Sequence, residues 1–219
     1  MVFVDFGNSF LRGFLAGGGY LRHHERVLTN AIAALRAIAA SRSASRSASR
    51  ANAVVLDIDE VLLSNIHMNS FVEGDIDFHA SDYFSGPDGN PWPRHDLRLN
   101  PLLPGARALL EVCRELGHQI FLVTGRRESL RAETMENFVY VGIDDFWHSG
   151  PANPLPLSAC LFMRPEDDSD ASVRLFKEHC RRAISTDYEI VMTVGDQASD
   201  FGEYTGQAVY IPHPFYFTA

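Results

Sequence analysis

Cysteine is scarce in this chain of 219 residues, and Cys113, Cys160 and Cys180 stand far apart with no CxxC pair. That spacing excludes a disulfide scaffold and a cysteine zinc site, and it suits a reducing compartment. None of the three is followed six residues later by arginine, so a cysteine-nucleophile phosphate loop is missing too. Basic charge is short as well: 19 Lys and Arg against 28 Asp and Glu leave a formal net charge of −9. A chain this acidic lacks the basic surface with which general nucleic-acid binders neutralise phosphates, so no nucleic-acid partner is expected. Long apolar runs are also lacking. None approaches the ~20 residues needed to span a bilayer, so no membrane partner is expected. The opening MVFVDFGNSFLRGFLAGGGYLRHH carries Asp5 and no basic start, unlike a secretion signal, and the expected compartment is the cytoplasm.

Apolar content is ample. At 46% hydrophobic and 11% aromatic residues, the chain can bury one sizeable core with a small appendage. Thr29-Asn30 predicts a cap for a helix through AIAALRAIAA, which is rich in strong helix formers. The next stretch, SRSASRSASR (41–50), repeats with period four and on a helix would align Arg42, Arg46 and Arg50 as a basic stripe. A solvated helix end or linker is the simpler reading for so acidic a protein. Residues 1–52 therefore read as a helical arm with a Ser/Arg/Ala-rich linker. Such an arm packs either on the core or on a second subunit of a homodimer.

The pattern changes at Ala53. AVVLDID is a continuous apolar, β-branched run that ends in carboxylates, as a buried parallel strand would. QIFLVTG (119–125), ACLFM (159–163), EIVMTVGD (189–196) and QAVYI (207–211) read as four more strands. Helices fall between them. One opens at Pro104, carries Leu109, Leu110, Cys113 and Leu116 at helical spacing, and closes at Gly117. Others cover 128–141, ended by Gly142, and about 171–184. This alternation predicts an α/β fold over 53–219: a doubly wound, Rossmann-like parallel sheet with helices on both faces. Residues 66–102, rich in Gly, Pro, Asp and aromatics, read as a short cap-like insertion.

Ligands of such sheets bind beyond the carboxyl ends of the strands, where Asp57, Thr124 and Asp196 are expected. Each feature alone has a plain reading: DID (57–59) as a polar strand exit, Thr124-Gly125 as a turn, Lys177 as a surface charge, GDQASD (195–200) as a turn and cap. Their order along the chain argues for chemistry. A phosphate monoester repels nucleophiles by its own charge, and clustered carboxylates that hold a divalent cation overcome this. Asp57 would attack phosphorus, and Asp59, two residues on and so on the same strand face, would serve as acid and base.

The motifs DIDEV (57–61), Thr124, Lys177 and GDxxxD resemble those of the haloacid dehalogenase-like (HAD) hydrolases. DIDEVLLSN, TGRRESLRAETMEN (124–137), FK-x3-R, GDQASDF and PHPFYF narrow the resemblance to subfamily IIIB, the class C acid phosphatase and plant vegetative storage protein branch. Val61 stands where many relatives have threonine, and 66–102 has no clear counterpart. The resemblance implies Mg2+ held by Asp57, the Asp59 backbone carbonyl and Asp196, with Asp200 behind them or acting through water. It implies phosphoryl contacts from Thr124, the Gly125 amide and Lys177. Arg126, at the site rim, Arg131, paired with an acid on its helix, and Arg164 read as structural charges.

The implied activity is hydrolysis of small phosphorylated substrates, with nucleoside monophosphates as the leading class. Phe71, Phe78, His79, Tyr83, Phe84 and Trp92 in the insertion could stack a base or simply pack the cap. Transfer of the phosphoryl group to an alcohol or nucleoside, and a non-catalytic storage role, are the alternatives. VDFGNSF (4–10) with AGGGY (16–20) faintly suggests the phosphate loop of actin-like kinases, but no companion motif follows.

Overall fold

Five runs dominated by Val, Ile, Leu and Phe pair into one sheet: β1 (Ala51–Leu56), β2 (Gln119–Arg127), β3 (Leu161–Arg164), β4 (Tyr188–Gly195) and β5 (Gln207–Tyr210). The structure is a computed structural model and describes residues 18–45, 50–64, 97–147, 154–166 and 173–212. All pairings are parallel, in the order β3-β2-β1-β4-β5. β1 is central and buried from Ala53 onward, which explains its uninterrupted apolar run. The chain moves outward from β1 to β3, then returns to lay β4 on the other side of β1. That reversal puts a topological switch between β1 and β4. With right-handed crossovers it also places helices on both faces of the sheet.

The helices are α1 (Gly19–Ser45), α2 (Ala106–Glu115), α3 (Arg131–Tyr140), α4 (Leu157–Cys160) and α5 (Val173–Asp187). α5 packs on β4, β2 and β3, and α1 packs on α2 and β4. Gly117 follows α2 at φ 70°, a left-handed conformation that suits glycine and lets the chain turn into β2. α4 takes the start of the run expected to be strand from 159, so β3 begins only at Leu161.

α1 departs most from expectation. It begins at Gly19, ten residues before the expected cap, and Thr29 Oγ1 donates to the Glu25 carbonyl at 2.8 Å instead of capping. The cause is a buried stripe, Tyr20, His24, Leu28, Ala31 and Leu35, whose first two members are polar enough to hide from an apolar count. Leu28 and Leu35 are fully buried in the common core, each stabilising by about 1.5–3 kcal/mol. Arg42 does not form a free basic stripe either. Its guanidinium meets Glu189 of β4 through two hydrogen bonds, one at 2.7 Å, and Arg50 donates to the Ser185 carbonyl. Arg46 and the greater part of the insertion, 66–96 with all six of its aromatic and histidine candidates, lie outside the described residues.

The three cysteines are free and buried, and burial pushes their thiols up to about 12, so they are inert packing groups. Among the described residues no helix is long and apolar enough to cross a membrane.

Candidate active site

β1 stops at Leu56 because the next residue carries a carboxylate that needs polar partners. Asp57 finds them at once. Its N–H donates to the Val194 carbonyl of β4 at 3.0 Å, its Oδ1 accepts from the Ile58 N–H at 2.7 Å, and its Oδ2 accepts from Lys177 Nζ at 2.8 Å. Lys177 comes from α5 and is 2% exposed, a buried ammonium rather than the surface charge that its plain reading allowed. It also donates to Asp200 Oδ1. Asp196, the first residue past β4, is equally buried, and its Oδ2 accepts from Gln197 Nε2 at 2.7 Å.

Carboxylate oxygens of Asp57, Asp196 and Asp200 lie within 4.8 Å of one another. Three carboxylates therefore face one ammonium, and their charges do not cancel. Burial, opposed by Lys177 and reinforced by the neighbouring aspartates, raises Asp57 well above the usual carboxylate range. Burial, and then Asp200, pushes Asp196 up to about 7. Burial alone would lower Lys177, but Asp200 and Asp57 outweigh it and hold the ammonium above the ordinary lysine range. A divalent cation would supply the missing positive charge. The donor set, carboxylate oxygens with no thiolate or imidazole, fits a hard cation.

The turn after β4 is built around Asp200. Its Oδ2 accepts the N–H groups of Asp196 and Gln197 at 3.1 and 2.9 Å, while its Oδ1 holds Lys177. Both Asp200 oxygens are thus engaged by protein donors. Arg181, on α5 one turn beyond Lys177, donates to the Asp200 carbonyl at 2.8 Å and pins the same turn. Gly195 is required by proximity: a Cβ there would fall 2.3 Å from the Asp200 Cβ.

Asp59 joins a different partner. Arg126 on β2 grips its carboxylate, with Nη2 to Oδ1 at 2.6 Å and Nε to both oxygens at 3.1 Å. Arg126 is fully buried and its Nη1 donates to Thr134 Oγ1 at 3.0 Å, so it is no rim charge. It remains structural in one sense, because it orients the residue assigned to acid–base work. Its N–H also donates to Thr124 Oγ1 at 3.1 Å. Thr124 and half-buried Gly125 lie inside β2, which continues to Arg127, rather than at its end. The ladder to β1 ends at Leu122, however, so both residues reach past the last β1 partner toward the motif at 57–59.

Of the other arginines, Arg131 pairs with Glu128, the acid of the preceding turn, and Arg164 is buried at the end of β3. Glu60 and Tyr20 were not expected near the site. Tyr20 donates its hydroxyl to Glu60 Oε2, and Glu60 is fully buried at φ 55°.

The family described as HAD superfamily, subfamily IIIB (acid phosphatase), matches residues 9–219. The chain is 28% identical over 166 residues to acid phosphatase 1 of Solanum lycopersicum, covering 74% of this chain and 58% of that protein. It is 26% identical over 169 residues to vegetative storage protein 1 of Arabidopsis thaliana, covering 76% and 55%. It therefore spans little more than half the length of these relatives. A crystal structure of class C acid phosphatase from Bacillus anthracis with tungstate bound superposes at a TM-score of 0.63 and 16% identity, over 94% of this chain and 83% of that one. The fold is shared, and the match across nearly the whole chain gives its lineage: the protein belongs to the acid phosphatase subfamily, IIIB, of the HAD superfamily.

Proposed function

We propose that the chain is a Mg2+-dependent phosphomonoester hydrolase working through an aspartyl-phosphate on Asp57. The observation that carries this reading is the buried Asp57–Lys177–Asp200 chain beside Asp196, set where the strand order reverses. Lys177 and the Ile58 N–H fix the Asp57 carboxylate from both of its oxygens, which reduces the orientational freedom lost on attack. Asp57 and Asp196, with the backbone carbonyl of Asp59, would hold the cation. When bound, Mg2+ neutralises phosphoryl charge and keeps the group in line for attack.

An Asp57 oxygen forms a bond to phosphorus as the ester P–O bond breaks, and Asp59 gives its proton to the leaving oxygen. Water then attacks phosphorus and gives a proton to Asp59, and the bond to Asp57 breaks to release phosphate. Thr124 Oγ1, the Gly125 N–H and Lys177 Nζ are the donors assigned to the phosphoryl oxygens. A storage role has no chemical need for a buried lysine among three aspartates. Nucleoside monophosphates remain the leading substrate class.

Hydrolysis of p-nitrophenyl phosphate and a nucleoside monophosphate panel, with Mg2+ and with chelator, tests the proposal. Turnover should need Mg2+ and should fall by at least about 1,000-fold in Asp57→Asn. Mg2+ should also raise the melting temperature of the wild type and not of Asp196→Asn, because a ligand of the folded state stabilises it. Unchanged activity in Asp57→Asn would sink the covalent route, and equal turnover of sugar phosphates would remove the base-stacking argument.

A further inference from the structure

The fully buried Glu60 sits directly after the acid–base residue, in a conformation that non-glycine residues rarely adopt. The turn around it is tight. Ile58 O accepts the N–H groups of Leu62 and Leu63 at 2.8 and 2.9 Å, and the Glu60 N–H donates to Leu63 O at 2.8 Å. A left-handed glutamate needs a partner that holds it, and that partner comes from α1, forty positions away. Tyr20 donates to its carboxylate, and one turn later His24 Nδ1 donates to Pro104 O at 2.9 Å. Tyr20 and His24 also contact each other, with ring centroids 6.2 Å apart.

We infer that the first turns of α1 are a clamp that positions Asp59, with Tyr20 holding Glu60 and so fixing the turn that carries the acid–base carboxylate. Arg126 grips Asp59 from β2, and Tyr20 holds the side chain of the next residue, Glu60. Tyr20 is a positioning residue that touches no reacting atom. Leu28 and Leu35 seat the same helix in the core, so α1 transmits a fixed geometry. The arm at the start of the chain thus serves the chemistry as well as the packing. This inference rests on the phosphatase reading and on Asp59 as its acid and base.

General acid help matters most for poor leaving groups, which gives a test that loss of stability cannot imitate. kcat/KM is measured at saturating Mg2+ for p-nitrophenyl phosphate and for a simple alkyl phosphate, well below the unfolding temperature. Tyr20→Phe should lose about 10-fold on the alkyl ester and less than about 2-fold on the nitrophenyl ester. Leu157→Ala, which opens a cavity at α4 and leaves α1 intact, should lower the melting temperature without this selectivity. If Tyr20→Phe does not fold, Glu60→Gln carries the test: it removes the charge from the hydrogen bond and should show the same selective loss, about 3-fold. No turnover by the wild type would remove the phosphatase reading and the clamp together. Wild-type turnover with an equal loss on both esters, or with no loss, would overturn the clamp alone.

Discussion

His118, in the joint between α2 and β2, is 2% exposed, and neither ring nitrogen has a hydrogen-bond partner among the described residues. Burial first, then the charge of Arg42, lowers it from 6.5 to about 4. Above 6.5 the ring is neutral in both the folded and the unfolded chain. Between 6.5 and about 4 the unfolded chain takes up a proton that the folded chain refuses, so stability falls as pH drops through that window and levels off below it. Urea unfolding at about pH 7 and about pH 4.5 should therefore show a smaller acid loss in His118→Gln than in the wild type. Equal losses would remove His118 from the account. At this scale the motif residues were legible, because Asp57, Lys177 and Asp196 stand in short patterns whose types and order demand chemistry. The Arg126–Asp59 pair was not legible: its members are 67 positions apart, and only the fold brings them together.

Two elements meet at Gly195, where β4 ends against the short helical turn Ala198–Asp200. A methyl group there would stand 2.3 Å from the Asp200 Cβ and 2.4 Å from its Oδ2, inside any tolerable contact. Gly195→Ala must push Asp200 away, and with it the hydrogen bonds to Lys177 and to the Asp196 and Gln197 amides. The variant should be less stable by about 1–3 kcal/mol. Its kcat on p-nitrophenyl phosphate should fall by about 10-fold or more, the scale of losing one aligned charge or donor. Wild-type kcat would mean that the turn has no part in holding Lys177. From sequence this glycine reads as a turn residue, while its stronger reason is the approach of a side chain five positions later. α1 was misplaced on the same ground: its buried face opens with a tyrosine and a histidine, which an apolar periodicity does not count.

The whole molecule follows from strand order. Alternating strands and helices were enough to anticipate a doubly wound sheet. The order β3-β2-β1-β4-β5 then puts Asp57 and Asp196 just past the ends of neighbouring strands although 139 positions separate them in the chain. Pairing β1 with β4 is what turns two distant aspartates into one buried cluster, and α5, which packs on β4, brings Lys177 to Asp57 and Asp200. The resulting excess of negative charge is what a divalent cation would neutralise in the proposed phosphatase. The most direct measurement is borohydride trapping during turnover of p-nitrophenyl phosphate with Mg2+, followed by peptide mass spectrometry. An acyl phosphate is reduced to the alcohol, so the account requires the mass change of aspartate reduction on the peptide bearing Asp57, dependent on substrate and absent in Asp57→Asn. Reduction at another aspartate, or at none while turnover proceeds, would contradict it.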